Sequence, residues 1–251
     1  MLEIDVLTLF PPMVEGPLRE SIPGRILERG LAAVRVHDLR EWGLGRHRTV
    51  DDYTYGGGAG GLRARPRPRR PVAPSRRPDS VMILLDPAGE PFRQAVAHEL
   101  AAGSHLVFLC PRYEGVDDRV RALVDRELSI GDYVLTGGEL GALVIVDAVL
   151  RLLPGAIDEA STAEESFAAG LLEYPQFTRP AEFNGRAVPP VLVSGHHEQV
   201  RRWRLRESLR RTRDRRPDLL ERRELSRDEA TAMAELRTEP DAEPEATDTD
   251  A

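Results

Sequence analysis

The sequence predicts an α/β fold, a parallel sheet flanked by helices, followed by a small and mostly helical C-terminal domain. Three observations carry that reading. Short apolar runs rich in β-branched residues recur at 2–10 (LEIDVLTLF), 34–39 (VRVHDL), 81–85 (VMILL) and 105–110 (HLVFLC), each with the length and composition of a strand. Helical spacing fills 24–33 and 93–101 between them, and strands that alternate with helices pair in parallel through crossovers. After Pro154 the texture shifts to small acidic residues, then prolines, then a long arginine-rich helical pattern, which marks a second domain.

Taken in order, 2–10 alternates apolar and polar residues and ends at Pro11 and Pro12, which can open a helix. Ile26, Leu27, Leu31 and Ala32 recur at helical spacing, so 24–33 is expected as a helix and 34–39 as the second strand. The loop at 45–61 (GRHRTVDDYTYGGGAGG) lacks the Lys-Ser or Lys-Thr of a phosphate-binding loop and the glycine spacing of a dinucleotide fingerprint. A backbone clamp for a substrate remains open. The next stretch, 62–78 (LRARPRPRRPVAPSRRP), alternates arginine and proline, which excludes a packed helix or a central strand. It reads either as a solvated basic loop that touches RNA or as a low-complexity insertion.

Strands 81–85 and 105–110 each run into a polar loop, at 86–89 and 111–115. Further on, 129–140 (SIGDYVLTGGEL) is a glycine loop. Gly131, Gly137 and Gly138 permit backbone angles that other residues resist, and Asp132 and Glu139 are expected to add acceptors beside bare amides offered to a ligand. The apolar run 141–153 (GALVIVDAVLRLL) is long enough for a buried helix and too short for a bilayer. Ligands collect beyond the carboxyl ends of parallel strands. The loops after Leu85, after Cys110 and around Gly131 are therefore expected to wall one pocket. The expected organisation is a sheet domain at 1–157, a flexible linker at 158–173, a helical domain at 174–238 and an acidic disordered tail at 239–251.

The net charge of −7 hides a strongly uneven distribution. The tail holds six acids and no base, whereas 201–223 holds eleven arginines against four acids and 63–77 holds seven against none. The sum would argue against a nucleic-acid partner, but the distribution matters more, and two strongly basic stretches survive. The single cysteine, Cys110, lies in an apolar run and reads as an inert buried thiol, and no disulfide can form within one chain. His196 and His197 are adjacent, point apart and have no third ligand at metal spacing, so no metal site is expected. With neither a signal-peptide pattern nor a membrane-length apolar run, a cytoplasmic protein is expected.

Six segments together resemble, in order and spacing, the bacterial tRNA (guanine-N1)-methyltransferases. They are 49–52 (TVDD) with 55–58 (YGGG), 112–115 (RYEG), the glycine loop 129–140, 174–180 (YPQFTRP), 188–197 (VPPVLVSGHH) and Trp203-Arg204. The resemblance covers roughly residues 1–225 apart from 62–78. It implies the knotted, parallel-sheet SPOUT methyltransferase fold, and a homodimer with its active site at the subunit interface. It implies S-adenosyl-L-methionine as cofactor and leaves room for Mg2+ as an aid to activity. The implied substrate is tRNA, methylated on N1 of the guanosine at position 37, next to the anticodon. Cofactor contacts are implied at Leu85, Pro87, Pro111, Tyr113, Gly115, Ile130, Gly131, Tyr133, Leu135, Gly137 and Gly138. Substrate contacts are implied at Asp51, Tyr55, Gly58, Ser166, Arg179, His197, Arg201, Trp203 and Arg210.

Such a reaction needs a bent, held sulfonium, a base for the N1 proton and a cation for charge growing on O6. Arg151 resembles the family arginine that supports O6, although a basic residue at a helix C-terminus is favourable on its own account. The family base is an aspartate, and Glu165 stands in its place before Ser166-Phe167. Two further departures are Pro111, where members often carry glycine, and the arginine-proline stretch, where an apolar segment is usual. These departures sustain one alternative, a catalytically weakened or silent tRNA- or RNA-binding protein on the same fold. A nucleotide-binding enzyme of ordinary doubly wound type is disfavoured by the missing phosphate fingerprint.

Overall fold

In the computed structural model, the described residues are 1–43, 50–53, 61–63, 76–112, 115–158, 165–221 and 223–238, with only the backbone described at 51–53 and 61–63. The chain divides into two units, Met1–Asp158 and Glu159–Ala251.

The first unit is built on a five-stranded sheet whose ladders are all parallel, in the order β2 (Ala32–Asp38), β1 (Leu2–Thr8), β6 (His105–Leu109), β5 (Ser80–Pro91), β7 (Arg126–Ser129). Strand β1 (Leu2–Thr8) leads through helices α1 (Pro11–Leu18) and α2 (Ser21–Glu28) to β2 (Ala32–Asp38). The proline pair does open α1, at its first turn, where a missing N–H costs nothing. Helix α2 stops short of the expected 24–33. Gly30 takes a left-handed conformation, φ +67°, and the Leu31 N–H returns to the Ile26 carbonyl at 3.2 Å, a glycine-type stop that frees Ala32 for the strand.

Strands β3 (Asp51–Tyr53) and β4 (Gly61–Arg63) form a separate antiparallel pair. Arginine-rich 62–78 therefore begins in a strand at Leu62 and Arg63. Its other end is fastened to the sheet unit: Arg76 pairs with Asp125 at 2.8 Å and Arg77 with Glu3 at 2.7 Å. These two guanidinium groups serve the protein itself.

Strand β5 (Ser80–Pro91) pairs with β7 (Arg126–Ser129) up to Leu85, breaks register, and resumes at Glu90, which again faces Leu128. Residues 86–89 are thus a bulge within one long strand, where the sequence had suggested a strand end; bulges of this kind re-aim side chains next to sites. Helix α3 (Gln94–Ala101) crosses over to β6 (His105–Leu109), and helix α4 (Glu139–Leu150) follows the glycine loop. The alternating pattern of the strands gives the sheet two apolar faces. Ile4, Val6, Ile83, Leu85, Leu106 and Phe108 pack against α1 to α4 through Val14, Leu18, Ile26, Val96, Leu100, Ile145 and Val149. Leu7, Met82, Leu84, Val107 and Leu109 pack on the other face against Val116 and Val120. Burying side chains of this size stabilises by about 1.5–3 kcal/mol each before entropy is counted.

In the second unit, a two-stranded ribbon of β8 (Glu182–Phe183) and β9 (Arg186–Ala187) precedes a helical turn α5 (Pro190–Val193), the long α6 (His197–Arg215), the short α7 (Pro217–Glu221) and α8 (Arg227–Thr238). Its core is Leu171, Leu209, Ala232, Met233 and Leu236. Residues 165–173, part of the stretch read from sequence as a linker, lie against α6: the Leu172 N–H donates to Thr212 Oγ1 at 2.9 Å and Arg211 donates to the Glu173 carbonyl at 3.1 Å. Among the described residues, no helix is long and apolar enough to cross a membrane.

Candidate active site

Parallel pairing puts the carboxyl ends of β5, β6 and β7 side by side, and the loops leaving them enclose a cavity of about 430 Å³. The β5 bulge contributes Leu85, Asp86, Pro87 and Ala88; the β6 loop contributes Pro111, Arg112 and Gly115. The loop after β7 contributes Ile130, Gly131, Tyr133, Leu135, Thr136, Gly137 and Gly138, and Gly141 of α4 closes the floor. That size, with apolar walls and scattered polar groups, is usual for a small-molecule site. Every residue expected at a cofactor contact lines this one cavity except Tyr113, which lies outside the described residues.

The glycines here answer to the protein's own packing. Gly131 has φ +150°, as a freely rotating glycine can. Gly138 has an ordinary helical φ of −77°, so its need is one of space: a Cβ there would stand 2.8 Å from Cys110 Cα and 2.9 Å from Pro111 Cδ. The Gly138 N–H donates to the Pro111 carbonyl at 2.9 Å. The first turn of α4 is thereby pressed onto the end of β6. At Gly137 a Cβ would meet the Arg112 Nε and Glu139 Oε2 atoms, both at 2.5 Å.

Glu139 is not the ligand acceptor that its place in the loop suggests. Its side chain is fully buried, accepting from Thr8 Oγ1 at 2.7 Å and from Arg112 Nε at 3.1 Å. Asp132 by contrast is exposed. At the cavity edge Arg121 pairs with Asp86 at 2.8 Å and also with Glu127. Cys110 sits beneath the loop as an inert thiol, its pKa pushed well up by burial and further by the nearby Glu139 charge. Sequence reading put Asp86 and Arg112 in the loops of the pocket wall without singling them out, and it missed Arg121. Arg112 lay in plain view inside the RYEG motif, whereas the Arg121–Asp86 pair, 35 positions apart, leaves no local signal.

Arg151 caps the C-terminus of α4, its N–H bonded to the Asp147 carbonyl at 3.2 Å. Glu165 belongs to the second unit and opens the turn at 165–168 through its own carbonyl. The neighbouring Ser166 Oγ accepts from the Glu173 N–H at 3.0 Å. Of the residues expected to touch substrate, Asp51 opens β3 in the first unit, while Tyr55 and Gly58 lie outside the described residues. Arg179 is exposed, His197 starts α6, and Arg201 and Trp203 share a cavity of about 520 Å³ between α6 and α8. Trp203 also meets Phe177, ring centroids 6.2 Å apart. Arg210 is paired with Glu207 at 2.6 Å.

The arginine face of α6 is partly committed to the unit itself. Arg211 and Arg213 donate to the carbonyls of Glu173 and Leu236, and Arg204 lies over the Tyr174 ring. Arg201 and Arg202 share the exposed Glu198. Exposed pairs of this sort contribute at most about 1 kcal/mol, so a phosphate can displace them.

The family described as tRNA (Guanine-1)-methyltransferase TrmD matches the chain over residues 2–222. Curated relatives agree along nearly their whole length. A tRNA (guanine-N(1)-)-methyltransferase of Thermus thermophilus is 55% identical over 237 residues, 93% of this chain and 98% of the relative. That of Dictyoglomus turgidum is 49% identical over 241 residues, 95% and 98% of the two chains. The Chloroflexus aggregans protein of the same name is 55% identical over 225 residues, 88% of each. Both the parallel sheet and the loop cavity at its carboxyl edge accord with those matches, which extend across the two units: this chain belongs to the tRNA (guanine-1)-methyltransferase family.

Proposed function

We propose that the protein transfers a methyl group from S-adenosyl-L-methionine to N1 of a guanosine in tRNA, the one at position 37 beside the anticodon. The observation that carries this is the meeting of three strand-end loops in one cavity, in a chain of this family. The residues present suit the cofactor: Leu85, Ile130 and Leu135 give apolar walls for a purine, and loop backbone around Gly131 gives uncharged donors and acceptors. When bound, the cofactor supplies a methyl carried on a positively charged sulfur. Among the charged residues lining the cavity, Asp86 is paired with Arg121 and Arg112 with the buried Glu139.

In this reading the Glu165 carboxylate takes the N1 proton as the new N–C bond forms, and Arg151 stabilises the negative charge that the departing proton leaves on O6. The domain 174–238 holds the tRNA through α6, with Arg201, Trp203 and Arg210 among its contacts and Ser166, Arg179 and His197 beside them. The tail 239–251, with six acids and no base, is repelled by phosphate and takes no part in holding the RNA. Mg2+ needs only one or two carboxylates besides water and phosphate, and its place is as an aid to activity.

The working form is a homodimer. Val134 is 87% exposed, and Leu140 and Val144, one helical turn apart on α4, are 47% and 49% exposed. Large apolar side chains exposed in this way support an interface, and a second copy of the chain is the occupant that the sequence resemblance implies. Activity itself is tested by incubating unmodified tRNA with the protein and S-adenosyl-L-methionine, digesting to nucleosides and measuring 1-methylguanosine by mass spectrometry. Its accumulation supports the assignment; tRNA bound but left unmethylated supports a silent RNA-binding protein.

A further inference from the structure

Thr8, Arg112 and Glu139 come from the ends of three different elements and meet beneath the cavity. Thr8 closes β1, Arg112 follows β6, and Glu139 is the first residue of α4. The Thr8 hydroxyl accepts from the Phe10 N–H at 2.9 Å, which commits its own proton to Glu139 Oε1 at 2.7 Å. Arg112 Nε lies 3.1 and 3.3 Å from the two carboxylate oxygens. The rest of its guanidinium rests on the Phe10 ring, 4.4 Å from the centroid. A fully buried carboxylate is tolerated only when such partners replace its water, and removing one leaves an uncompensated charge.

The arrangement also explains Gly137. Arg112 bridges to both Gly115 and Gly137, and the Gly137 Cα faces the ion pair closely enough that a Cβ would touch both charged groups at 2.5 Å. Thr8, Phe10 and the start of α4 thus fix where Arg112 sits, and Arg112 fixes the spacing between the 111–115 loop and the glycine loop.

We propose that Glu139 is a positioning residue: through Arg112 and Thr8 it holds two of the three cavity loops at the separation that admits the cofactor, and position 137 is glycine to make room for that ion pair. The inference rests on reading the cavity as the methyl-donor pocket. It gives the GGE sequence a role in aligning protein against protein, with the cofactor affected one step removed.

The test is calorimetric titration of the full chain with S-adenosyl-L-methionine, for the parent, Glu139→Gln, Gly137→Ala and the double variant, with filter binding of tRNA alongside. Each single variant should lose between about tenfold and about a hundredfold in cofactor affinity, the range that small misplacements produce. The double variant should be no worse than the weaker single, since both break one contact, and tRNA affinity should stay at the parent's level. Thr8→Val, which removes the hydroxyl that donates to Glu139 and accepts from the Phe10 N–H but leaves the Arg112–Glu139 pair, should shift affinity the same way by less, and it serves if Glu139→Gln does not fold. Parental affinity in Glu139→Gln or Thr8→Val overturns the proposal. So do effects that multiply in the double variant, which would place the tightness at Gly137 against the ligand, and so does tRNA binding that falls in step. A parent chain that does not bind the cofactor overturns the pocket reading, and this inference with it.

Discussion

Replacing Gly138 with alanine adds one methyl group where the structure has no space for it. The new Cβ would sit 2.8 Å from Cys110 Cα, 2.9 Å from Pro111 Cδ and 3.1 Å from Leu85 Cβ, whereas ordinary contact begins at 3.4 Å, so a gap of about 0.6 Å must open against main chain. Neither Cys110, fully buried, nor the fixed pyrrolidine ring can swing aside. The first turn of α4 must therefore back away from the end of β6, and overpacking of this kind costs about 1–3 kcal/mol. Alanine offers no relief as a helix former, since position 138 is the N-cap, where it is worse than glycine. For a unit of this size the melting temperature should fall by about 2–12 °C. Pro111, Leu85 and Gly138 all line the cavity, so affinity for S-adenosyl-L-methionine should fall about tenfold or more. Gly141→Ala is the control for stability, because its Cβ meets only movable side chains, Leu85 from 3.2 Å and Ile130 at 3.9 Å, and should melt close to the parent. Differential scanning fluorimetry and calorimetry read both quantities. A Gly138→Ala protein that melts no lower than the parent and binds the cofactor equally well would refute the steric reasoning.

Glu165→Gln should leave cofactor and tRNA binding intact while slowing single-turnover methyl transfer by about 10²-fold to 10⁴-fold, and Glu165→Asp should be faster than the parent if the extra methylene misplaces the carboxylate; equal rates in all three remove Glu165 from the mechanism. Neutralising the exposed Arg201, Arg202 and Arg215 together should flatten the salt dependence of tRNA binding by about one unit of slope for each phosphate the helix no longer neutralises, and an unchanged slope in filter binding would make α6 a merely solvated face. Asp117 is held at about 2 by the Arg119 guanidinium and N–H, a depressed value, so it stabilises the fold fully above about pH 4 and the contribution fades as pH falls toward 2. Asp117→Asn should lower stability near neutrality and flatten the acid limb of a melting-versus-pH curve; an unaltered limb contradicts this. Leu140→Glu with Val144→Arg should yield a soluble monomer by light scattering, and a dimer that persists rules out this face as the interface.

How much of this was legible in the sequence differs by residue. Strands β1, β5 and β6 announced themselves because both faces of the sheet are covered, which makes their apolar runs nearly unbroken. Strand β7, at the sheet edge, reads RELS and went unnoticed, since Arg126 and Glu127 are charged and find their partners only in three dimensions, at Glu90, Glu99 and Arg121. The pocket was visible as three loops after strands, but the reason for its glycines was not. Sequence suggests backbone freedom or ligand approach at Gly137 and Gly138, while the structure shows a shortage of space against Cys110, Pro111 and the Arg112–Glu139 pair. Glu139 misled for the same cause: a carboxylate in a polar-looking loop reads as exposed, and only its contact with Thr8, 131 positions away, shows it buried. Likewise Arg76 and Arg77 belong by composition to a basic stretch, and by structure to ion pairs with Asp125 and Glu3.

In the proposed reaction this chain places a methyl group on N1 of one guanosine beside the anticodon. Primer extension over a tRNA transcript, after single turnover with S-adenosyl-L-methionine, tests it most directly, because a methyl on N1 blocks the Watson–Crick edge and halts reverse transcriptase. The expected result is a cofactor-dependent stop at position 38, one nucleotide 3′ of the methylated guanosine, that disappears when the guanosine at 37 is replaced by adenosine. Full-length extension with and without the cofactor, or a stop at any other base, would contradict it.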